Sequence, residues 1–110
     1  YAARSLVPIS LVHSRAFAAE DVVVADGVTV LAGAMVNAGA RISEAAIVNT
    51  GAIVEHDAEV EAGAHVAPGA VLLGAAHVGS CAMVGAGAVV LPGATVPADT
   101  LVPSLTRYPQ

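Results

Sequence analysis

Residues 49–65 read NTGAIVEHDAEVEAGAH, and this stretch decides the fold. Val54 and Val60 stand six residues apart, with Ala52, Ala58 and Ala64 keeping the same spacing beside them. A period of six is neither the 3.6 of a helix nor the 2.0 of a plain strand, so the chain must turn a corner at regular intervals. Outward from this stretch the rhythm continues with no insertion. Towards the N-terminus it passes Val48, Ile42, Val36, Val30, Val24, Ala18, Val12 and Leu6; towards the C-terminus it passes Val66, Leu72, Val78, Val84, Val90, Val96 and Val102. Only Ala18 is not Val, Leu or Ile. Four places after the aliphatic residue the chain is Ala in every repeat from Ala34 to Ala94. Three places after, it is often Gly, as at Gly27, Gly33, Gly39, Gly51, Gly63, Gly69, Gly87 and Gly93. Glycine supplies the backbone angles of a tight corner, and the small residue tucks into it.

Composition points the same way. The 110 residues give room for one domain, and 56% are hydrophobic, mainly Ala and Val, with only 3% aromatic. Such a chain fills a narrow interior with aliphatic side chains rather than a broad core with rings. The net charge of -5, with no Lys, lacks the clustered cations that a phosphate backbone requires, which argues against a nucleic-acid partner. The longest apolar runs fall short of the ~18 residues of a membrane span. The opening segment SLVPISLV with Ala16-Phe17-Ala18 has the outline of a signal peptide, but Pro8 and His13 interrupt it and the repeat runs through it, so it is read as part of the fold. The single Cys81 cannot form an internal disulfide and suits a reducing, cytoplasmic compartment; it is expected to be a buried, inert thiol.

The repeat over about residues 12 to 102 resembles that of the hexapeptide-repeat acyltransferases. The resemblance implies an all-β fold, a left-handed parallel β-helix of about five triangular coils, each of three hexapeptides. The left hand rests on the resemblance, since parallel crossovers in general are right-handed. Residues 1-11 are then a lead-in arm, 12-102 the β-helix domain, and 103-110, with its two prolines in PSLTRYPQ, a C-terminal tail. Residues eighteen apart stack at roughly 4.8 Å, which sorts the outward side chains onto three faces. The first, around Val24, Ile42, Val60 and Val78, is polar, with Arg41, Glu59 and His77. The second, around Val30, Val48, Val66 and Val84, presents Ile47, His65, Met83 and Leu101. The third, around Val36, Val54, Leu72 and Val90, presents Met35, Ile53, Val71 and Val89. Two apolar faces on one small chain are expected to meet other subunits. A second face packed on a neighbour's third face closes as a threefold ring, and the resemblance implies the same homotrimer.

His56 and Asp57 form the chain's one adjacent His-acid pair. His56 falls at the corner between the third face and the polar first face, where an imidazole can serve as general base at the rim of a subunit interface. Asp57 takes a position that the repeat usually gives to Gly, shared by Asp21 and Asp99; a carboxylate there can also hold the imidazole in one tautomer. In the assumed ring, Asn49 and His65 of a neighbour's otherwise apolar second face approach that rim.

The segments Asn49-Thr50-Gly51-Ala52, His56-Asp57 and His65-Val66-Ala67-Pro68-Gly69 resemble bacterial nucleotide-sugar N-acetyltransferases of the bacillosamine and perosamine type, and the related sialic acid O-acetyltransferases. The resemblance implies His56 as base, tuned by Asp57. It also implies acetyl-CoA contacts at His65 and at backbone groups near Gly74 and Ala86, with Asn49 lining the site for an amino-sugar substrate. The implied chemistry is direct transfer: the sugar amine attacks the thioester, His56 takes the proton and corner N–H groups steady the oxyanion. Nothing places Cys81 as a nucleophile. The resemblance also implies an N-terminal nucleotide-sugar-binding domain, for which these 110 residues leave no room beside the β-helix.

Two rivals share the fold. A γ-class carbonic anhydrase needs three histidines around zinc, whereas His56, His65 and His77 fall on three different columns, so no metal is expected. A non-catalytic trimeric β-helix scaffold would carry an idle His56. His77 is read as an exposed ion pair with Glu59, and His13 as part of the entry into the helix.

Overall fold

The structure is a computed structural model that describes residues 10–110. The proposed lead-in arm, with Leu6 and the signal-like opening, lies outside the described residues for all but its last two positions.

Seventeen strands of two residues each follow one another at the six-residue spacing, from Leu11–Val12 to Arg107–Tyr108. They stack into three parallel sheets, one behind each predicted face. Sheet 1 has five strands, Val23–Val24, Arg41–Ile42, Glu59–Val60, His77–Val78 and Thr95–Val96. Sheet 2 has six, running from Leu11–Val12 through Ile47–Val48, His65–Val66 and Met83–Val84 to Leu101–Val102. Sheet 3 also has six, from Phe17–Ala18 through Ile53–Val54 and Val71–Leu72 to Arg107–Tyr108. The register pairs Met35 with Ile53 and Val71 with Val89, one full coil apart. The chain therefore visits sheet 2, then 3, then 1, and repeats.

Each coil is held to the next by its backbone. The N–H of Ile53 donates to the carbonyl of Ala70, and that of Gly51 to Ala32, both at 2.9 Å. The interior is a stack of Val, Ile, Leu and Ala side chains from Val28 to Val102, with no polar side chain buried among them. With each buried Val or Leu stabilising by about 1.5–3 kcal/mol, that column is the main stabilising element of the fold.

The corners show what the six-residue motif is for. From Gly27 onward the residue three places after the inward aliphatic adopts a left-handed φ, between 67° and 75° at the eight corner glycines from Gly27 to Gly93. Six corners do so without glycine: Ala45, Asp57, Ala75, Cys81, Asp99 and Leu105, with φ of 57–61°. Each such residue costs about 1–2 kcal/mol relative to a glycine. Pro68 and Pro92 sit one place earlier in the motif, where the backbone N–H has no partner in the coil, so proline removes no bond there.

Two sequence expectations are corrected. The ladder does not end at Val102: Arg107–Tyr108 pairs with Val89–Val90, because Tyr108 lands on the inward phase and Leu105 on the left-handed corner position. Pro103 and Pro109 directly follow Leu101–Val102 and Arg107–Tyr108, outside the paired residues, so they leave the ladder intact. Cys81 is exposed rather than buried. It occupies the glycine position of its corner, with φ 57°, where the side chain points outward over Gly63.

No helix among the described residues is long and apolar enough to cross a membrane.

Candidate functional site

The turn from sheet 3 to sheet 1 places His56 and Asp57 on an exposed edge, each side chain 68% accessible. His56 Nδ1 lies 3.2 Å from Asp57 Oδ2. Asp57 itself holds the left-handed corner position, with φ 61°. With Nδ1 donating to Asp57, Nε2 is left as the acceptor, and it points to the next coil at Gly74. A Cβ built on Gly74 would lie 2.6 Å from that nitrogen. One coil below, Asp57 Oδ1 fills the corresponding space over Gly39, where a Cβ would stand. The pair is thus sandwiched between two glycine corners.

A second pair forms on sheet 2. Asn49 Oδ1 accepts the N–H of its neighbour Thr50 at 2.7 Å, which orients the amide so that Nδ2 donates to His65 Nε2 at 3.0 Å. The His65 proton then resides on Nδ1. Both residues border the turn from sheet 2 to sheet 3, and Ala86 lies in the same edge two coils above Asn49.

The six predicted residues therefore separate into two groups within one chain. His56, Asp57 and Gly74 share the sheet 3 to sheet 1 edge; Asn49, His65 and Ala86 share the sheet 2 to sheet 3 edge. The N–H groups of Gly74 and Ala86 occupy the corner position that has no hydrogen-bond partner in the coil, so both are available to a ligand. Sheet 3, which lies between the two edges, presents exposed Phe17 and Met35, and the adjoining sheet 2 presents exposed Leu11, Met83 and Leu101.

His77 makes more contacts than its sequence position suggests. Its Nδ1 meets Glu59 Oε2 at 3.2 Å, as the stacking predicts, and its Nε2 meets Glu61. The Glu61 contact runs diagonally between neighbouring columns, which sorting by eighteen-residue columns alone does not register. Arg41 adds a looser contact to Glu59 at 3.8 Å. His13 is local, its Nδ1 accepting the N–H of Arg15 at 3.0 Å. Among the described residues no three or more His, Cys, Asp or Glu side chains are grouped to hold a metal. His56, His65 and His77 stand on an edge and two different sheets of the one chain.

A scan of protein-family models and a search of curated proteins returned no match. Among solved structures, the chain is similar to a histidine-to-alanine mutant of GDP-perosamine N-acetyltransferase from Caulobacter crescentus, in complex with CoA and GDP-perosamine. That match has 37% identity and a TM-score of 0.93, over 96% of this chain and 51% of that one. PerB from the same organism, with the same two ligands, matches at 36% identity and a TM-score of 0.89 over 96% and 52%. The acetyltransferase domain of PglB from Neisseria gonorrhoeae FA1090 matches at 31% identity and a TM-score of 0.93 over 96% and 52%. The chain spans about half the length of each of these structures. Superposition at these scores preserves the hand of the coil as well as its register. The six-residue corners, the three parallel sheets and these matches together assign the chain to the hexapeptide-repeat family of left-handed β-helices.

Proposed function

We propose that this chain forms the acyl-transfer core of an acetyl-CoA-dependent N-acetyltransferase whose acceptor is the amino group of a nucleotide-linked amino sugar. The observation that carries the reading is the His56–Asp57 pair, with Nε2 free of protein partners beside the unpaired N–H of Gly74. The similarity to enzymes solved with CoA and GDP-perosamine supports it.

In this reading the sugar amine attacks the thioester carbon of acetyl-CoA, forming the C–N bond. The carbonyl electrons move onto oxygen, and the Gly74 N–H stabilises the charge in this reading. The intermediate collapses with expulsion of the CoA thiolate, and His56 Nε2 takes the proton lost from the amine. Asp57 holds the tautomer that makes Nε2 the acceptor. His65, fixed by Asn49, and the N–H of Ala86 contact acetyl-CoA from the other edge, with Asn49 lining the sugar side.

The two groups lie on different edges of one chain, so a complete site calls for a second copy. A homotrimer in which the second sheet of one chain meets the third sheet of the next joins them and covers the exposed apolar residues of both faces. A reducing cytoplasmic setting suits both acetyl-CoA and the exposed Cys81 thiol.

Calorimetry with acetyl-CoA, alongside the oligomer's mass and an acetylation assay on GDP-perosamine, tests the reading. Saturable binding at one site per chain of a trimer, with N-acetylated product, is expected. A folded trimer that does not bind acetyl-CoA would leave the scaffold reading in its place, and acetylation confined to a hydroxyl acceptor would move the assignment to the sialic acid type.

A further inference from the structure

The corner Leu73-Gly74-Ala75-Ala76 is written the wrong way round for its own backbone. At eight other corners the glycine stands at the left-handed position, but here it comes one residue early, and Ala75 takes that position with φ 58°. Gly74 has no left-handed φ of its own, so the backbone does not call for glycine there. Two other described glycines, Gly79 and Gly85, also lack it. Their Cβ sites are filled by main chain of the next coil, at Pro97–Ala98 and Pro103–Ser104. At Gly74 the space is filled by a side chain: a Cβ would lie 2.6 Å from His56 Nε2 and 2.7 Å from Cε1.

We propose that Gly74 is a positioning residue for His56, its missing side chain forming the seat that receives the Nε2–Cε1 edge of the imidazole and fixes where Nε2 stands. This rests on the acetyltransferase reading and gives Gly74 a second role beside its backbone N–H. The imidazole is exposed and attached by a flexible stem, so a methyl group at position 74 displaces the ring rather than the coil. Restoring an ordinary non-bonded separation moves Nε2 by about 1 Å. Misplacement of that size at a reacting group costs about 100-fold in rate.

The test is the swap Gly74→Ala/Ala75→Gly, which restores the standard corner while leaving every backbone N–H in place. Four results are expected. The swapped protein melts no lower than the wild type. Its kcat for acetyl transfer from acetyl-CoA to GDP-perosamine falls about 100-fold with KM for acetyl-CoA little changed. Adding the swap to His56→Ala produces no further loss, because Gly74 acts through a ring that is gone. The His56 Cε1–H resonance, followed against pH, moves in the swap. An unmoved resonance overturns the proposal, and so does a rise in KM at constant kcat or a further loss in the His56→Ala background. If the wild type transfers no acetyl group, the functional reading fails, and the Cε1–H resonance alone decides whether the seat exists.

Discussion

Exchanging alanine and glycine at two corners outside the His56–Gly74 contact separates backbone strain from every other effect. Gly93 has φ 68° and nothing within 4 Å of where a Cβ would stand, so Gly93→Ala meets no atom and is opposed only by its dihedral angle. That opposition is about 1–2 kcal/mol. The unfolded chain loses entropy on the same change and returns about 0.4–1 kcal/mol. The net expectation is a destabilisation of about 1 kcal/mol per chain, or about 4 °C in Tm for a domain of this size. Ala45, with φ 59°, is the mirror experiment. Ala45→Gly is expected to stabilise by about 0.5–1 kcal/mol, although the same change inside a helix or strand costs about that much. Urea unfolding followed by circular dichroism, at one fixed protein concentration so that any assembly contributes equally, reads both as shifts in midpoint at constant slope. A destabilised Ala45→Gly would refute the argument, since the corner would then not be held in a strained left-handed state.

The other predictions concern the base, the interior and the outer faces. His56→Ala is expected to leave the assembly mass unchanged and lower acetyl transfer by about 100- to 10,000-fold; unaltered turnover would remove His56 from the mechanism. Leu72, fully buried in the sheet 3 column, is expected to cost about 2–5 kcal/mol when changed to Ala, because the coils above and below hold the cavity open. A loss below about 1 kcal/mol by urea titration would mean that the column collapses, contrary to its rigid stacking. Met83→Glu places a charge on the exposed face of sheet 2 and is expected to dissociate the proposed trimer, with monomers in sedimentation velocity. A trimer that survives this change would mean that sheet 2 is not buried between subunits.

Much of this was legible because the motif is short and strictly periodic. The inward run from Val12 to Val102 fixed the three faces and their register, and the structure places each pair of neighbours where eighteen-residue columns put them. What escaped the reading has physical causes. Arg107–Tyr108 was hidden because Tyr108 is aromatic where the pattern is Val and because Pro103 and Pro109 suggest an end to regular structure. Cys81 was misjudged because thiols are usually buried, yet its position in the motif, the glycine slot, already pointed outward. The Glu61 contact to His77 and the Gly74 seat depend on side chains reaching across columns, which a one-dimensional pattern does not encode. The misplaced glycine in Leu73-Gly74-Ala75 was the one visible trace of the seat.

The exact coil length has a consequence for how such a chain can change. Removing six residues from the segment between Asp57 and Gly74 would keep every aliphatic residue inward and every corner at its place in the motif, so the shortened chain would still coil. Everything after the deletion would nevertheless rotate by one side of the triangle, carrying Gly74 away from His56 to a different edge and exchanging apolar faces for polar ones. Only a loss or gain of whole coils leaves the later surfaces where they were. Folding reads this sequence modulo six, while the candidate site reads it modulo eighteen, so an insertion or deletion that the core accepts can still dismantle the site.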